Sequence, residues 1–470
     1  MKNNKMESKC MVTPPQENGE FEMEQTNEVT PLGLYDDDTN DQVFMNSVEK
    51  VLNNLLKEVK AKTPEEAAGM SNSSKIYPKE LPVVIAEYAF KLASKNNLQL
   101  IKLNGNFHVY NGEYWIKCQN EDIRNFLGKV AEKIGVCGFT PRSVWFKNAL
   151  EKQFYETAYF NLPEPKEDQS LINLSNGTLV ISTEDQYLKP FDKNDFMRYK
   201  LGFRFDPHAK APIFQKYLDR VLPVKGKQDV LAEYIGYAFT NNKVFKLEKA
   251  LILYGDGANG KSLFHSIISA MLGKENVSHV TLQDLTSPNG YSLPLLDGKL
   301  LNYATEISSK MDTTKFKTIV SGEPIQAREI FGRPFMMENY ARMLFNTNSL
   351  PTDIEHNEAF SRRLILMDFD VTIPENERNP NLAGYIIEHE LSGVMNWVLE
   401  GLDRLLANKK FTSCPEVENA LSIFKQESDS IKMFLDEHFY IPSIKENVPL
   451  KTFYKEYSIF CNENGYKACM

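Results

Sequence analysis

Apolar residues repeat at helical spacing through the first half of the chain and fall into short blocks through the second half. In the first half they recur every three or four residues, which is the spacing of one helix face. Residues 46–72 begin with an amphipathic run and end in a polar linker, GMSNSS. The segments predicted to be helical are 80–98, 121–160 and 214–241, the last as two helices. Asn-Gly pairs between β-rich runs predict tight turns. They predict a small meander over 100–116 and a hairpin at Asn176-Gly177.

From residue 250 onward, short apolar runs alternate with helical segments. This alternation is typical of a parallel sheet flanked by helices. The predicted strands are 250–254, 279–282, 300–305, 342–347 and 363–369. Beyond them, 384–407 is predicted to be helical, and 428–470 is predicted to form a helix, a short strand and a helix. The predicted fold class is therefore α/β, with a five-stranded parallel sheet between mostly helical modules.

The first predicted strand runs into a glycine-rich loop, Gly255-x4-Gly260-Lys261-Ser262. Backbone N–H groups of such a loop wrap a β-phosphate, since glycine allows close approach. The lysine would reach the β- and γ-phosphates, and the serine would hold Mg²⁺. The residues predicted to bind ATP are Gly255, Asp256, Gly257, Ala258, Asn259, Gly260, Lys261 and Ser262. Two alternatives remain for the same glycines. One is a dinucleotide-binding loop, in which Lys261-Ser262 would have no role, and the other is a turn that binds no ligand.

Polar residues follow the carboxyl ends of two further predicted strands. Ligands bind at these strand ends in folds of this kind. Glu306 is a candidate to orient the attacking water and, with Ser262, to hold Mg²⁺. The second acid that usually precedes it is missing, since Thr305 is there. Asn348 is a candidate sensor of the γ-phosphate. The alternatives are a solvated strand end for the glutamate and a turn-forming role for the asparagine.

Two arginines and one hairpin complete the candidate chemistry. Arg362-Arg363 opens the last strand and suits an arginine finger offered to a neighbouring subunit, although arginines there are normally solvated. The segment 325–340 is predicted to be a hairpin that mixes cations with aromatics, which suits single-stranded DNA. The candidate DNA-binding residues are Arg328, Phe331 and Arg333. The alternative is an ordinary hairpin with core phenylalanines.

Composition narrows the class of protein only a little. The chain has 470 residues and 42% apolar residues, enough for about three domains. Residues 1–45 hold ten acidic and three basic residues, so they carry −7 of the net charge of −9. They are interpreted as a disordered acidic arm. The nearly neutral remainder can still carry a basic channel, so the net charge does not exclude DNA.

The spacing of the cysteines and the sequence of the amino terminus indicate the cellular compartment of the protein. The six cysteines form no C-x-x-C pair, which argues against a zinc module or a disulfide framework. The start lacks the apolar core of a secretory signal, and no run of about 18 apolar residues occurs. The expectation is a soluble intracellular protein without a membrane partner, in the cytoplasm of a bacterial host or a virus-infected cell.

Five segments carry a family resemblance. In chain order they are LILYGDGANGKS, LLNYATEIS, KTIVSGEPIQAREIFGRPF, LFNTNSLP and AFSRRLILMDF. Together they resemble the superfamily 3 helicases, and most closely the helicase half of phage and plasmid primase–helicases, relatives of the poxvirus primase–helicase. The resemblance covers about residues 170–470.

The resemblance implies a hexameric ring of AAA+-type P-loop ATPases that threads DNA through a central pore, with ATP and Mg²⁺ as cofactors. By position, the matches are Lys261 and Ser262 to the phosphate loop, Glu306 to the acidic second motif, Asn348 to the sensor, and Arg362 or Arg363 to the finger. We favour Arg363, because it lies directly at the start of the strand. The family's upstream primase domain is not matched, because we find no catalytic carboxylate pairs. The spacing of Asp368-Phe369-Asp370 is better interpreted as a strand exit.

The predicted organisation follows from these matches. It is an acidic arm (1–45), an α+β module (46–165), a family-specific domain (166–245), the ATPase (246–372), a helical segment (373–425) and a partial winged-helix module (426–470). The wing strands expected after the last helix are absent, so the chain is a fragment or this member ends early.

The predicted function is an ATP-dependent replicative DNA helicase of a mobile element, acting on forked duplex, with a primase as a further candidate partner. The alternatives are a non-unwinding, ATP-binding origin or primase adaptor and a primase–polymerase fragment.

Overall fold

The structure is a computed structural model. It describes residues 37–60, 62–71, 75–103, 106–158, 164–166, 169–305, 307, 311–330, 332, 334–348, 350, 358–427, 429–463 and 468. The chain divides into two units, Met1–Met45 and Asn46–Met470. Within the first unit, the described residues belong to helix α1 (Asp37–Glu58). This helix begins inside the segment expected to be a disordered arm, and residues 1–36 of that arm lie outside the described residues.

The first part of the second unit packs helices around a three-stranded antiparallel meander. Its helices are α2 (Pro64–Ala67), α3 (Leu81–Lys95), α4 (Asn120–Lys133) and α5 (Val144–Thr157). Its strands are β1 (Gln99–Leu103), β2 (Asn106–Tyr110) and β3 (Trp115–Cys118). Helix α3 buries Ile85, Ala89 and Ala93, one residue per turn, against this core. The predicted meander and the helix predicted over 80–98 are confirmed, whereas the segment 121–160 forms two helices, α4 and α5, with a turn between them.

A second antiparallel sheet and two helices precede the central sheet. The strands are β4 (Gln169–Leu174), β5 (Gly177–Ser182) and β6 (Gln186–Lys189), and the helices are α6 (Pro212–Val221) and α7 (Lys225–Tyr237). The hairpin predicted at Asn176-Gly177 joins β4 to β5. Gly177 has a φ of +142°, and a Cβ there would lie 2.5 Å from the carbonyl oxygen of Lys189. Only glycine fits this turn.

The centre of the unit is a five-stranded sheet in which every neighbouring pair is parallel. In the part of the chain that the structure describes, the remaining strands are β7 (Ala250–Tyr254), β8 (Val277–Ser278), β9 (Leu301–Thr305), β10 (Ile325–Ala327), β11 (Phe335–Met337), β12 (Arg342–Thr347) and β13 (Leu364–Asp368). The order in the sheet is β13-β7-β12-β9-β8. The predicted α/β class with a five-stranded parallel sheet is confirmed.

Helices cover both faces of this sheet. The connections contribute α8 (Lys261–Leu272), α9 (Leu282–Leu285), α10 (Thr313–Val320) and α11 (Glu358–Ser361). Along β7, Leu251 and Leu253 join one hydrophobic core, whereas Ala250 and Ile252 join the other. A strand buried on both faces is expected to be continuously apolar, as this one is.

One predicted strand of the sheet was misplaced. The expected strand 279–282 is wrong, because the paired residues are Val277–Ser278 and a helix starts at Leu282. The Thr281 side chain accepts a hydrogen bond from the Asp284 N–H and so caps that helix. A capping threonine favours helix over strand at this point.

The chain ends in a series of helices. They are α12 (Leu382–His389), α13 (Leu391–Asn408), α14 (Pro415–Glu427), α15 (Ser430–Glu437) and α16 (Leu450–Glu463). Helix α13 lies against α7, where a Cβ on Gly401 would come within 2.4 Å of the Ala232 backbone. The short strand expected between α15 and α16 is wrong. That segment contains Pro442, which has no N–H to donate, and it pairs with no described strand.

Within the part of the chain that the structure describes, no helix has both the length and the apolar character needed to cross a bilayer.

Candidate functional site

The glycine-rich loop joins the carboxyl end of β7 to the amino end of α8. Gly255 has a φ of +142°, and a Cβ there would lie 2.4 Å from the carbonyl oxygen of Phe369. Gly260 has a φ of +89°, and a Cβ there would lie 2.9 Å from Val221. Both glycines are therefore required by backbone conformation and by close neighbours. The loop is pressed between the exit of β13 and helix α6.

Lys261 is buried at the first position of α8. Its Nζ donates hydrogen bonds to the carbonyl oxygen of Gly255 at 2.5 Å and to Oδ1 of Asn259 at 2.9 Å. Burial lowers the pKa of the Lys261 ammonium, and the nearby Asp256 carboxylate partly opposes this shift. The lysine is thus folded back over its own loop, with neutral oxygens as its hydrogen-bond partners.

Residues distant in sequence hold the loop in shape. The Tyr217 hydroxyl on α6 donates to the carbonyl oxygen of Gly260 at 2.8 Å. The Asn259 side-chain amide donates to the carbonyl oxygen of Phe369 at 3.0 Å, and the Ile373 N–H donates to the carbonyl oxygen of Ala258 at 2.9 Å. Sequence reasoning found Asn259 but missed Tyr217 and Phe369. No local motif indicates which distant residues support a loop.

The start of α8 has the geometry of an anion site. This helix is 12 residues long and begins directly after the loop, so its first N–H groups and its positive dipole end face the same region. Ser262 is exposed in the first turn. Among the described residues, no group of three or more His, Cys, Asp or Glu side chains could hold a metal ion. Of the two predicted metal ligands, Ser262 and Glu306, the structure describes the position of Ser262.

The register of the sheet brings the next predicted residues to the same edge. Thr347 at the end of β12 pairs with Tyr254, the last residue before the loop, so Asn348 follows at the level of Gly255. Asn348 is exposed there. Thr305 at the end of β9 pairs with Asn346 on β12. Glu306, which follows Thr305, lies outside the described residues.

Asn346 is a residue of this edge that sequence reasoning left out of the site. Its side chain is buried, and its Oδ1 accepts a hydrogen bond from the Tyr303 hydroxyl at 3.2 Å. Asn346 is the last residue but one of β12, and Asn348 directly follows the end of the strand. The buried Asn346 side chain supports the strand end, whereas the Asn348 side chain is exposed.

The two candidate finger residues differ in what their side chains contact. Arg363 is 8% exposed. Its guanidinium donates to the Ser321 hydroxyl at 3.0 and 3.1 Å and forms an ion pair with Glu248 at 3.0 Å. Arg362 is exposed. Leu364, which follows the two arginines, pairs with Ala250 at the start of the parallel strand β7. Both arginines therefore lie at the amino end of the sheet, and the glycine-rich loop lies at the opposite, carboxyl end.

The predicted hairpin is present. Strands β10 and β11 pair antiparallel, with Ala327 opposite Phe335. Arg328 is exposed beyond β10, with its guanidinium 5.7 Å from the ring centre of Tyr291. Phe331 and Arg333 lie outside the described residues. Tyr291 is a neighbour of this hairpin that the sequence did not indicate.

Comparisons with known proteins give two family matches. Residues 85–223 match the family described as D5 N terminal like. Residues 253–363, from the end of β7 to the start of β13, match a family of unknown function, DUF5906. The first match supports a relationship to phage and viral primase–helicases. The second spans the glycine-rich loop and both arginines.

Solved structures give distant matches. The apo structure of the NrS-1 C-terminal region is 14% identical, with a TM-score of 0.49, and the match covers 81% of this chain and 90% of that chain. The A form apo structure of the same region is 12% identical, with a TM-score of 0.47, and the match covers 79% of this chain and 85% of that chain.

Proposed function

We propose that this chain is an ATP-dependent DNA helicase of the phage and plasmid primase–helicase type. The proposal rests on the glycine-rich loop 255–260, which connects β7 to α8. Lys261 is buried and folds back over this loop, and the end of β12 places Asn348 at the same level of the sheet. The match of 85–223 to a family of phage and viral primase–helicases supports a role in replication. ATP binding, the ring and unwinding all belong to this proposal.

In the proposed mechanism, the loop binds the ATP phosphates. The Lys261 ammonium exchanges its two neutral oxygen partners for phosphate oxygens, which is favourable because those oxygens are charged. The hydroxyl of Ser262 and the carboxylate of Glu306 are the hard oxygen donors that Mg²⁺ prefers. When bound, Mg²⁺ supplies positive charge that offsets the charge of the phosphates. Glu306 orients the attacking water, and Asn348 contacts the γ-phosphate.

A trans-acting cation completes the proposed site. Both arginines lie at the end of the sheet away from their own loop, which suits action on a neighbouring subunit. The sequence favoured Arg363, but Ser321 and Glu248 already engage its guanidinium. We therefore propose Arg362 as the finger and Arg363 as the residue that fixes the turn carrying it. This arrangement would make hydrolysis depend on a closed ring.

The hairpin is the proposed DNA-contacting element. Arg328 presents an exposed cation beside the aromatic ring of Tyr291, a combination suited to a phosphate and a base of one strand. In a hexameric ring, six such hairpins would surround a central pore. Successive hydrolysis events at the interfaces would then move them along the DNA.

ATP turnover of the Lys261→Ala variant tests the proposal. The truncation removes the ammonium where charge develops in the transition state, so turnover should fall to background. Lys216→Ala is a matched control, because Lys216 is exposed on α6. Wild-type turnover in folded Lys261→Ala protein would contradict the proposed site.

A further inference from the structure

The connection between α4 and α5 and the first turn of α5 carry exposed apolar residues. Phe139 is 83% exposed, Val144 is 74% exposed and Trp145 is 63% exposed. We call these three residues the aromatic ledge. Side chains of this size are rarely left in water as a group unless they meet a partner. Trp145 is also the one exposed tryptophan of the chain, because Trp115 and Trp397 are 1% and 8% exposed.

Local hydrogen bonds hold the ledge in a defined shape. The Arg142 N–H donates to the carbonyl oxygen of Phe139 at 3.1 Å. The Ser143 hydroxyl donates to the carbonyl oxygen of Thr140 at 2.7 Å. Pro141 is buried against α4, where a Cβ on Gly128 would lie 3.0 Å from its carbonyl oxygen. A partner that binds here therefore does not have to order the backbone first.

The segment that carries the ledge has more basic than acidic residues. Residues 125–152 contain five basic and two acidic residues, whereas the chain has a net charge of −9. Arg142 pairs with Glu132 at 2.7 Å, and Lys147 donates to Asn125 at 2.9 Å. Lys129 and Lys152 are exposed on the two helices that flank the ledge. The surface thus combines aromatic faces with cations.

That combination favours one class of partner. Unpaired bases stack on aromatic side chains while lysine and arginine contact the phosphates, without any need for sequence readout. A partner helix would instead need a longer apolar stripe. We propose that the aromatic ledge is a second binding site for single-stranded DNA, separate from the hairpin 325–340. This inference rests on the proposed function, because it assumes that the chain acts on DNA.

The fluorescence of Trp145 tests the site in the full chain. Saturating oligo(dT) should quench tryptophan emission and reduce its quenching by acrylamide, since a stacked base covers the ring. The change should be absent from Trp145→Phe protein, because the two remaining tryptophans are buried. Trp145→Phe should keep its oligo(dT) affinity, because phenylalanine also stacks.

Affinity measurements separate stacking from charge. The double variant Phe139→Ala, Trp145→Ala should bind oligo(dT) about fivefold or more weakly. Its salt dependence should stay unchanged, because no phosphate contact is removed. Tyr187→Ala, which truncates an exposed aromatic residue on β6, should bind like the wild type. Thermal melts of each variant check that it folds.

The outcomes distinguish the two proposals. If oligo(dT) binds but Trp145 stays fully accessible to acrylamide, the ledge proposal fails and the helicase proposal stands. If the chain binds no DNA at all, both fail. If Trp145 becomes covered as protein concentration rises without DNA, a second copy occupies the ledge, and the proposed DNA site is wrong.

Discussion

Alanine substitution of the two neighbouring arginines should separate folding from catalysis. Arg363→Ala removes a charged donor that holds the Ser321 hydroxyl through two bonds and pairs with Glu248. Losing a hydrogen bond to a charged group costs about 1.5–3 kcal/mol. The Glu248 side chain is 42% exposed, so its ion pair is screened and adds little. The guanidinium also donates to the carbonyl oxygen of Ala359 at 2.6 Å. Since two of these three bonds reach one hydroxyl, we expect a loss of about 3 kcal/mol of stability.

Arg362→Ala should have the opposite effect. Its side chain is exposed, so truncation should change stability by less than about 0.5 kcal/mol. If Arg362 is the finger, ATP turnover should fall by about 10³-fold or more. The urea midpoint of unfolding and the steady-state rate of phosphate release, measured on both variants, give the two readouts.

Mixing experiments then test whether the arginine acts between subunits. Inactive Lys261→Ala protein mixed with inactive Arg362→Ala protein should regain some turnover, because certain interfaces pair an intact loop with an intact finger. Turnover per protomer should also rise with protein concentration. The same mixture is made with Arg363→Ala. Near-normal turnover by Arg362→Ala would contradict Arg362 as the finger. No recovery in either mixture, despite proven co-assembly, would contradict action between subunits.

Three further predictions concern the loop, the acid and the hairpin. Gly255→Ala should abolish ATP binding in an equilibrium assay, because its Cβ would collide with the carbonyl oxygen of Phe369; normal affinity would mean that the loop can rearrange. Glu306→Gln should bind ATP and hydrolyse it poorly, because the amide loses basicity; an equal fall in binding would indicate a structural role. Arg328→Ala or Arg333→Ala should weaken DNA binding and leave basal ATPase intact. The slope of log affinity against log salt concentration should fall by about one per lost phosphate contact. An unchanged slope in both variants would place the DNA path elsewhere.

The sheet could be predicted because its strands carry a local signal. Four of the five, including β7 and β12, are apolar runs bounded by turn residues or charges, and buried parallel strands are expected to look this way. The fifth, β8, has only two residues. A strand so short leaves no periodic pattern, and the capping Thr281 nearby ended the expected strand and began a helix.

The site could be predicted where its residues are adjacent in sequence. The loop 255–262 is one motif, so its residues were found together. The hydroxyl of Tyr217 reaches the loop from α6, and nothing in the sequence near Tyr217 signals that contact. The two arginines show the same limit. They are neighbours in the sequence, which does not distinguish them. The fold brings Ser321 and Glu248 to the Arg363 guanidinium and leaves Arg362 exposed.

Strand separation on a forked duplex tests directly whether this chain is a helicase. We expect the wild-type chain to displace one strand with ATP and Mg²⁺, and Lys261→Ala protein to displace none under the same conditions. Lys216→Ala protein should match the wild type. ATP turnover without any strand displacement would contradict the helicase assignment and would favour an ATP-binding adaptor.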